Sequence, residues 1–183
     1  MFHHALGLTE GLQGFADTIR SAGHVVTTPD LFDAKTFATV DEGVAYAESI
    51  GFDAISERGV AAHDGVGEPL VTIGFSLGVI PAQRIAQTRS RILGAVLCHA
   101  AIPSSAFGAA WPDGVGLQIH IGDSDPWAEE DLPAAEDLAA EAHGELFVYE
   151  GTGHLIADPS SPDYDAAQAE VLVQRVLAFL GSF

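Results

Sequence analysis

Two rhythms of apolar and polar positions run along this chain. Short, nearly continuous apolar stretches rich in β-branched residues recur at 24–26, 70–75, 92–98, 115–121 and 146–149. Stretches of that length without polar alternation suit strands covered on both faces, as in a parallel sheet. Between them, apolar residues fall at helical spacing. Leu12, Phe15, Ala16 and Ile19 form one stripe, with Thr9 placed to cap its start and Gly23 to end it. A second helix is expected after Leu77 and a third over about 129–142. A fourth is expected over 163–180, where Ala169, Leu172, Val173, Val176, Leu177 and Leu180 share a face and Pro162 suits the first turn. Residues 34–69, acidic and alanine-rich, predict one or two crossover helices.

Strands and helices taken in turn predict an α/β layer fold with a parallel sheet and right-handed crossovers. The 183 residues suit one domain spanning 1–183, and 48% apolar content without low-complexity segments or a fixed-period repeat supports a packed core. In such sheets, ligands bind outside the carboxyl ends of the strands. Chemistry is therefore sought there.

The first strand end to carry chemistry is "LVTIGFSLGVIPA", residues 70–82. Ser76 follows the strand directly, with Gly74 and Gly78 two places to either side. Glycines there permit a sharp turn that lifts the serine hydroxyl off the sheet. The helix that follows leaves the Leu77 N–H without an intrahelical partner, free for a developing oxyanion. A serine needs a base, and the base needs an orienting acid. "QIHIGDSDPW" puts Asp125 just past the next-to-last strand, and "FVYEGTGHLI" puts His154 just past the last. Ser76, Asp125 and His154 stand in the chain order of a serine–acid–histidine triad on this architecture. Asp123, in the same loop, is the nearest competitor for the acid. The loop "FHHALGL" enters the first helix and offers Ala5 N–H as a second oxyanion donor. His4 and Trp127 are expected to line the pocket, and His99 and Cys98 lie at a further strand end. His3 and His4, adjacent in a strand, point to opposite faces, which argues against a shared metal. Cys98 is expected to be a buried small hydrophobe. Only Met1 to His4 precede the first loop, fewer than a central strand of about five residues needs.

Charge narrows the partners. Twenty-six acids against seven bases give a net charge of −19. Such a surface disfavours nucleic acid and anionic membranes, and suits high solubility or a salty habitat. A single cysteine excludes an internal disulfide and fits a reducing cytosol. "MFHHALGL" has no basic segment of a signal peptide, and no apolar run approaches the ~20 residues of a membrane span. A cytoplasmic location is expected.

Taken together, "HHALGL", "AGHVVTTPDLFD", "GFSLGV", "IGDSDPW" and "EGTGHLIAD" resemble the dienelactone hydrolase family of α/β hydrolases over nearly the whole chain. The resemblance implies a compact α/β-hydrolase fold: about six mostly parallel strands, helices on both faces, no lid domain. It also implies a triad of Ser76, Asp125 and His154, and no metal or organic cofactor. Three departures stand out. The best-known members use cysteine where this chain has Ser76. They carry a glutamate where it has His4. They place a carboxylate-binding arginine where it has Asp158. An acid at that place is expected to repel an anionic lactone. The expected activity is a serine hydrolase cleaving a small neutral ester or lactone through an acyl-enzyme. The alternative is a hydrolase-like binding or sensing protein with negligible turnover.

Overall fold

The computed structural model describes every residue except 68, 129, 130 and 152. The main elements are α1 (Glu10–Ser21), α2 (Val40–Ile50), α3 (Phe52–His63), β1 (Leu70–Phe75), α4 (Val79–Thr88), β2 (Ile92–Cys98), β3 (Gly116–Gly122), α5 (Asp131–Ala142), β4 (Glu145–Tyr149) and α6 (Ala166–Leu180). The caps behave as their chemistry dictates. The Thr9 side chain accepts from Leu12 N–H, Asp165 accepts from the Ala167 and Gln168 N–H groups, and Gly23 takes a left-handed φ of 101° just past α1. Residues 34–69 hold two helices, separated at Gly51. The expected start of α5 at 129 lies outside the described residues.

The four strands are parallel and ordered β1-β2-β3-β4. Sequential parallel strands joined by right-handed crossovers place the connecting helices on one face. Consistently, α4 and α5 share one core with Ala95, Leu97, Leu117, Ile119 and Ile121. On the opposite face, α1 and α6 pack on Ile73, Phe75, Val96, Cys98 and Tyr149. Successive strand residues thus feed two cores, as the two-residue strand period requires.

The sheet has four strands among the described residues, not six. The segment 24–26 is no strand. Val25 is 99% exposed, and the Val26 carbonyl accepts from the Arg20 guanidinium at 3.2 and 2.8 Å, so the segment finishes α1 instead of joining a ladder. The amino-terminal run contributes one parallel bridge, Phe2 to Gly74, through Phe2 N–H to Ile73 O at 2.8 Å and Phe75 N–H to Phe2 O at 3.1 Å. That bridge sets residues 3–6 beside the carboxyl end of β1. No described helix is long and apolar enough to cross a membrane.

Candidate active site

Parallel strands put the residues after Phe75, Cys98, Gly122 and Tyr149 at one end of the sheet. Ser76 opens a three-residue 3₁₀ turn, Ser76–Gly78, between β1 and α4. Its own φ is 48°, a left-handed value that a non-glycine residue holds only under constraint. The flanking glycines serve close approach. A Cβ at 74 would stand 2.7 Å from Val79 Cα, and one at 78 would stand 2.5 Å from Phe2 O and 2.7 Å from His3 O. The turn is therefore wedged between its own helix and the amino-terminal segment.

The loop after β4 brings His154 Nε2 to 2.8 Å from Ser76 Oγ. His154 Nδ1 lies 2.5 Å from Asp125 Oδ2, while Asp125 Oδ1 accepts from Trp127 N–H at 2.9 Å. A carboxylate at Nδ1 fixes the ring proton there and leaves the Nε2 lone pair facing the serine. Asp125 is 1% exposed and His154 3%, so the pair is shielded from water. Asp123 takes no part. It is exposed, and Gly151 N–H and the Ser124 hydroxyl, both donating to Oδ1, hold its carboxyl below the ordinary value.

Ala5 and Leu77 are both buried, Leu77 in the turn directly after Ser76 and Ala5 in the amino-terminal segment that Phe2 bridges to β1. Trp127 is 43% exposed with its ring 6.3 Å from that of His154, an apolar shelf at the rim. His99 follows β2 at a strained φ of 65°, its ring 5.9 Å from His154. Burial, together with the neighbouring His154, His4 and His120 rings, lowers its pKa well below the ordinary 6.5. Its Nε2 has no hydrogen-bond partner among the described residues.

Two residues expected at the pocket are buried against each other. His4 is wholly buried, its Nε2 2.7 Å from Asp158 Oδ2, and presents no exposed surface. Asp158 also accepts from the Thr9 hydroxyl at 2.6 Å and from Ser160 N–H at 2.7 Å. Burial alone would raise its pKa. The hydrogen bonds from His4, the Thr9 hydroxyl and the Ser160 N–H outweigh that and hold it below its ordinary value. Its carboxylate is thus engaged with His4 and Thr9 and is no free charge at the site. Nothing in the spacing of His4, Thr9 and Asp158 announced this cluster, because Thr9 already had a sufficient role as a helix cap. A second buried network, His120 between Tyr149 Oη and Gln118 Oε1, lies under α6 and was signalled only by polar residues inside an apolar run.

Among the described residues, no three His, Cys, Asp or Glu side chains converge as metal ligands. A cavity of about 590 Å³ lies at the other end of the strands, lined by Phe2, Val71, Leu93, Leu180 and Phe183 among others, away from Ser76.

Solved structures share this architecture. A dienelactone hydrolase-like promiscuous phosphotriesterase, P91, from metagenomic libraries superposes with a TM-score of 0.78 at 18% identity, covering 99% of this chain and 84% of that one. A putative dienelactone hydrolase from Klebsiella pneumoniae gives 0.69 at 17%, covering 100% and 85%. A structure reported for the metagenome-derived lipolytic enzymes LipS and LipT gives 0.67 at 17%, covering 100% and 92%. At such identities the likeness establishes the α/β-hydrolase fold. No curated protein matches the sequence. The sequence profile of the dienelactone hydrolase family matches residues 1–183, so the chain belongs to that family.

Proposed function

We propose that this protein is a serine carboxylester hydrolase acting on small esters or lactones. The observation that carries the proposal is the continuous line Asp125 Oδ2, His154 Nδ1, His154 Nε2, Ser76 Oγ, with its two contacts of 2.5 and 2.8 Å. In the acylation step, His154 Nε2 takes the Ser76 proton as Oγ bonds to the substrate carbonyl carbon. The carbonyl oxygen becomes an oxyanion held by the N–H groups of Leu77 and Ala5. Collapse breaks the bond to the leaving alkoxide, which takes the proton from His154. Water then attacks the acyl-enzyme, gives its proton to His154, and the acid leaves as Ser76 Oγ is reprotonated. Asp125 steadies the imidazolium throughout without taking its proton.

Substrate size follows from the rim. Trp127 offers a flat apolar surface beside His154, which suits a short acyl or alkoxy group. The test is a fluorophosphonate probe together with p-nitrophenyl acetate. The wild type is expected to take one label, at Ser76, and to turn over continuously, and Ser76→Ala to lose both. Labelling without turnover would favour a binding or sensing role, and stoichiometric labelling of Ser76→Ala would remove Ser76 as nucleophile.

A further inference from the structure

We propose that His4 and Asp158 are positioning residues, a latch that holds the loop carrying Ala5 against the loop carrying His154. The proposal rests on the assignment of Ser76, His154 and Ala5 made above.

The latch is built around one buried carboxylate. Asp158 is 2% exposed, and a carboxylate so enclosed is tolerated only with its oxygens satisfied. Its donors come from two separate parts of the chain. His4 and Thr9, before and at the start of α1, both donate to Oδ2, while Ser160 in its own loop donates to Oδ1. The loops therefore cannot part without leaving a buried charge unpaired. A second stitch runs alongside, from Gly11 N–H to Ser160 Oγ at 3.1 Å. The fit is close enough that a Cβ at position 11 would collide with Asp158 Oδ1.

Each half of the latch is rigidly tied to a catalytic element. On one side, Leu6 N–H donates to His4 Nδ1 at 3.3 Å, which places the ring proton on Nε2, toward Asp158. His3 Nδ1–H donates to His4 O at 2.8 Å, and His3 Nε2 in turn accepts from Leu31 N–H. Ala5 lies between these two fixed points. On the other side, Asp158 N–H donates to Leu155 O at 3.1 Å and Ser161 N–H to Asp158 O at 2.8 Å. The carboxylate is thereby braced within four residues of His154, past Leu155 at its left-handed φ of 59°. A shift of about 1 Å between an oxyanion donor and a general base costs on the order of 10²-fold in rate. Holding that distance is the work assigned to His4 and Asp158. Neither touches substrate.

The experiment compares wild type with His4→Ala, His4→Gln and Asp158→Asn on p-nitrophenyl acetate. His4→Ala is expected to lower kcat by roughly 30- to 100-fold with KM within about threefold, because the loss falls on transition-state geometry. His4→Gln, which keeps a side-chain N–H donor, should recover part of the loss. A folded His4→Ala protein with kcat within about threefold of wild type would overturn the proposal. If His4→Ala does not fold, Asp158→Asn decides, since it keeps the shape and one acceptor oxygen. A kcat loss of about tenfold at constant KM supports the latch, and an unchanged kcat overturns it. The downfield proton resonance of His154 Nδ1–H gives a readout free of turnover. It should broaden in His4→Ala if the histidine loop is released. Should the wild type neither hydrolyse ester nor react with the probe, the serine-hydrolase assignment fails. That resonance then judges the latch by itself, and an unchanged line in His4→Ala overturns it.

Discussion

His154 Nε2 sits 2.8 Å from Ser76 Oγ although 78 residues separate them in the chain. The contact is made at the common end of a parallel sheet, where β1 and β4 each deliver one partner. His154→Ala is expected to lower kcat by about 10³-fold or more and Asp125→Asn by a comparable factor, with Asp123→Asn far milder. Steady-state kinetics on one short ester would check this, and a crippled Asp123→Asn beside a mild Asp125→Asn would contradict it.

Gly78 gives a stability test. A methyl group there meets the Phe2 and His3 carbonyls, which belong to backbone and yield little. Gly78→Ala should destabilise by about 1–3 kcal/mol, measured by urea denaturation, and lower activity through the displaced turn. A wild-type midpoint would show that the amino-terminal segment is not wedged against the turn.

Acid should weaken the fold before it reaches the carboxylates. Burial lowers His3 to about 4 and His120 to about 3, and depresses His99 as well. An unfolded histidine takes its proton near 6.5, so between about pH 4 and 6.5 the unfolded chain binds more protons than the native one. Stability therefore rises with pH through that window and is lost on acidification, by at most ~1.4 kcal/mol per pH unit for each group. Asp158 acts later in the same direction. Its contribution is present above its ordinary 3.8 and lost as pH falls through its lower folded value. Urea midpoints at pH 7, 6 and 5 should fall in sequence, and equal midpoints would refute the assignment.

Cys98 is expected to be a bystander. It is buried in the core under α1 and α6, and burial pushes its thiol far above the ordinary range. Cys98→Ala is expected to leave ester hydrolysis within a few-fold of wild type. Loss of turnover in a folded Cys98→Ala protein would point to a second nucleophile.

Substrate charge remains testable although Asp158 is not the repelling group. Arg20, Arg58, Arg84 and Arg89 pair with acids, while Arg175 and Lys35 lie over aromatic rings. With those six cations already engaged, a substrate carboxylate is expected to find no dedicated positive partner at the proposed site. Desolvation should then disfavour it by ~1–3 kcal/mol, roughly 5- to 150-fold in kcat/KM against the matched methyl ester. A preference for the free acid that weakens with added salt would reveal a cationic clamp.

The elements legible in the sequence were those whose signals are local. Four apolar runs became strands within one residue at each end, and Thr9 capped α1 as its chemistry dictates. The line from Ser76 to Asp125 was legible because each residue follows a strand of one parallel sheet. What escaped depended on partners far along the chain. His24 to Val26 has strand composition but joins no ladder among the described residues, and Asp158 looked like a surface charge until His4 and Thr9 were brought to it. Pairing partners and burial are tertiary facts, and residue spacing does not encode them.

The bridge from Phe2 to Gly74 and the contact from His4 to Asp158, 154 residues apart, bear on the order of synthesis. The serine turn leaves the ribosome with its amino-terminal buttress already available. The histidine and the carboxylate that anchors its loop arrive about 80 and 155 residues after their respective partners. On the proposed mechanism, a nascent chain carrying Ser76 lacks its base until His154 follows about 80 residues later, and such distant contacts form slowly. On that reading hydrolytic competence is a late event in synthesis, and a chain that stops short of His154 presents a serine that is chemically ordinary.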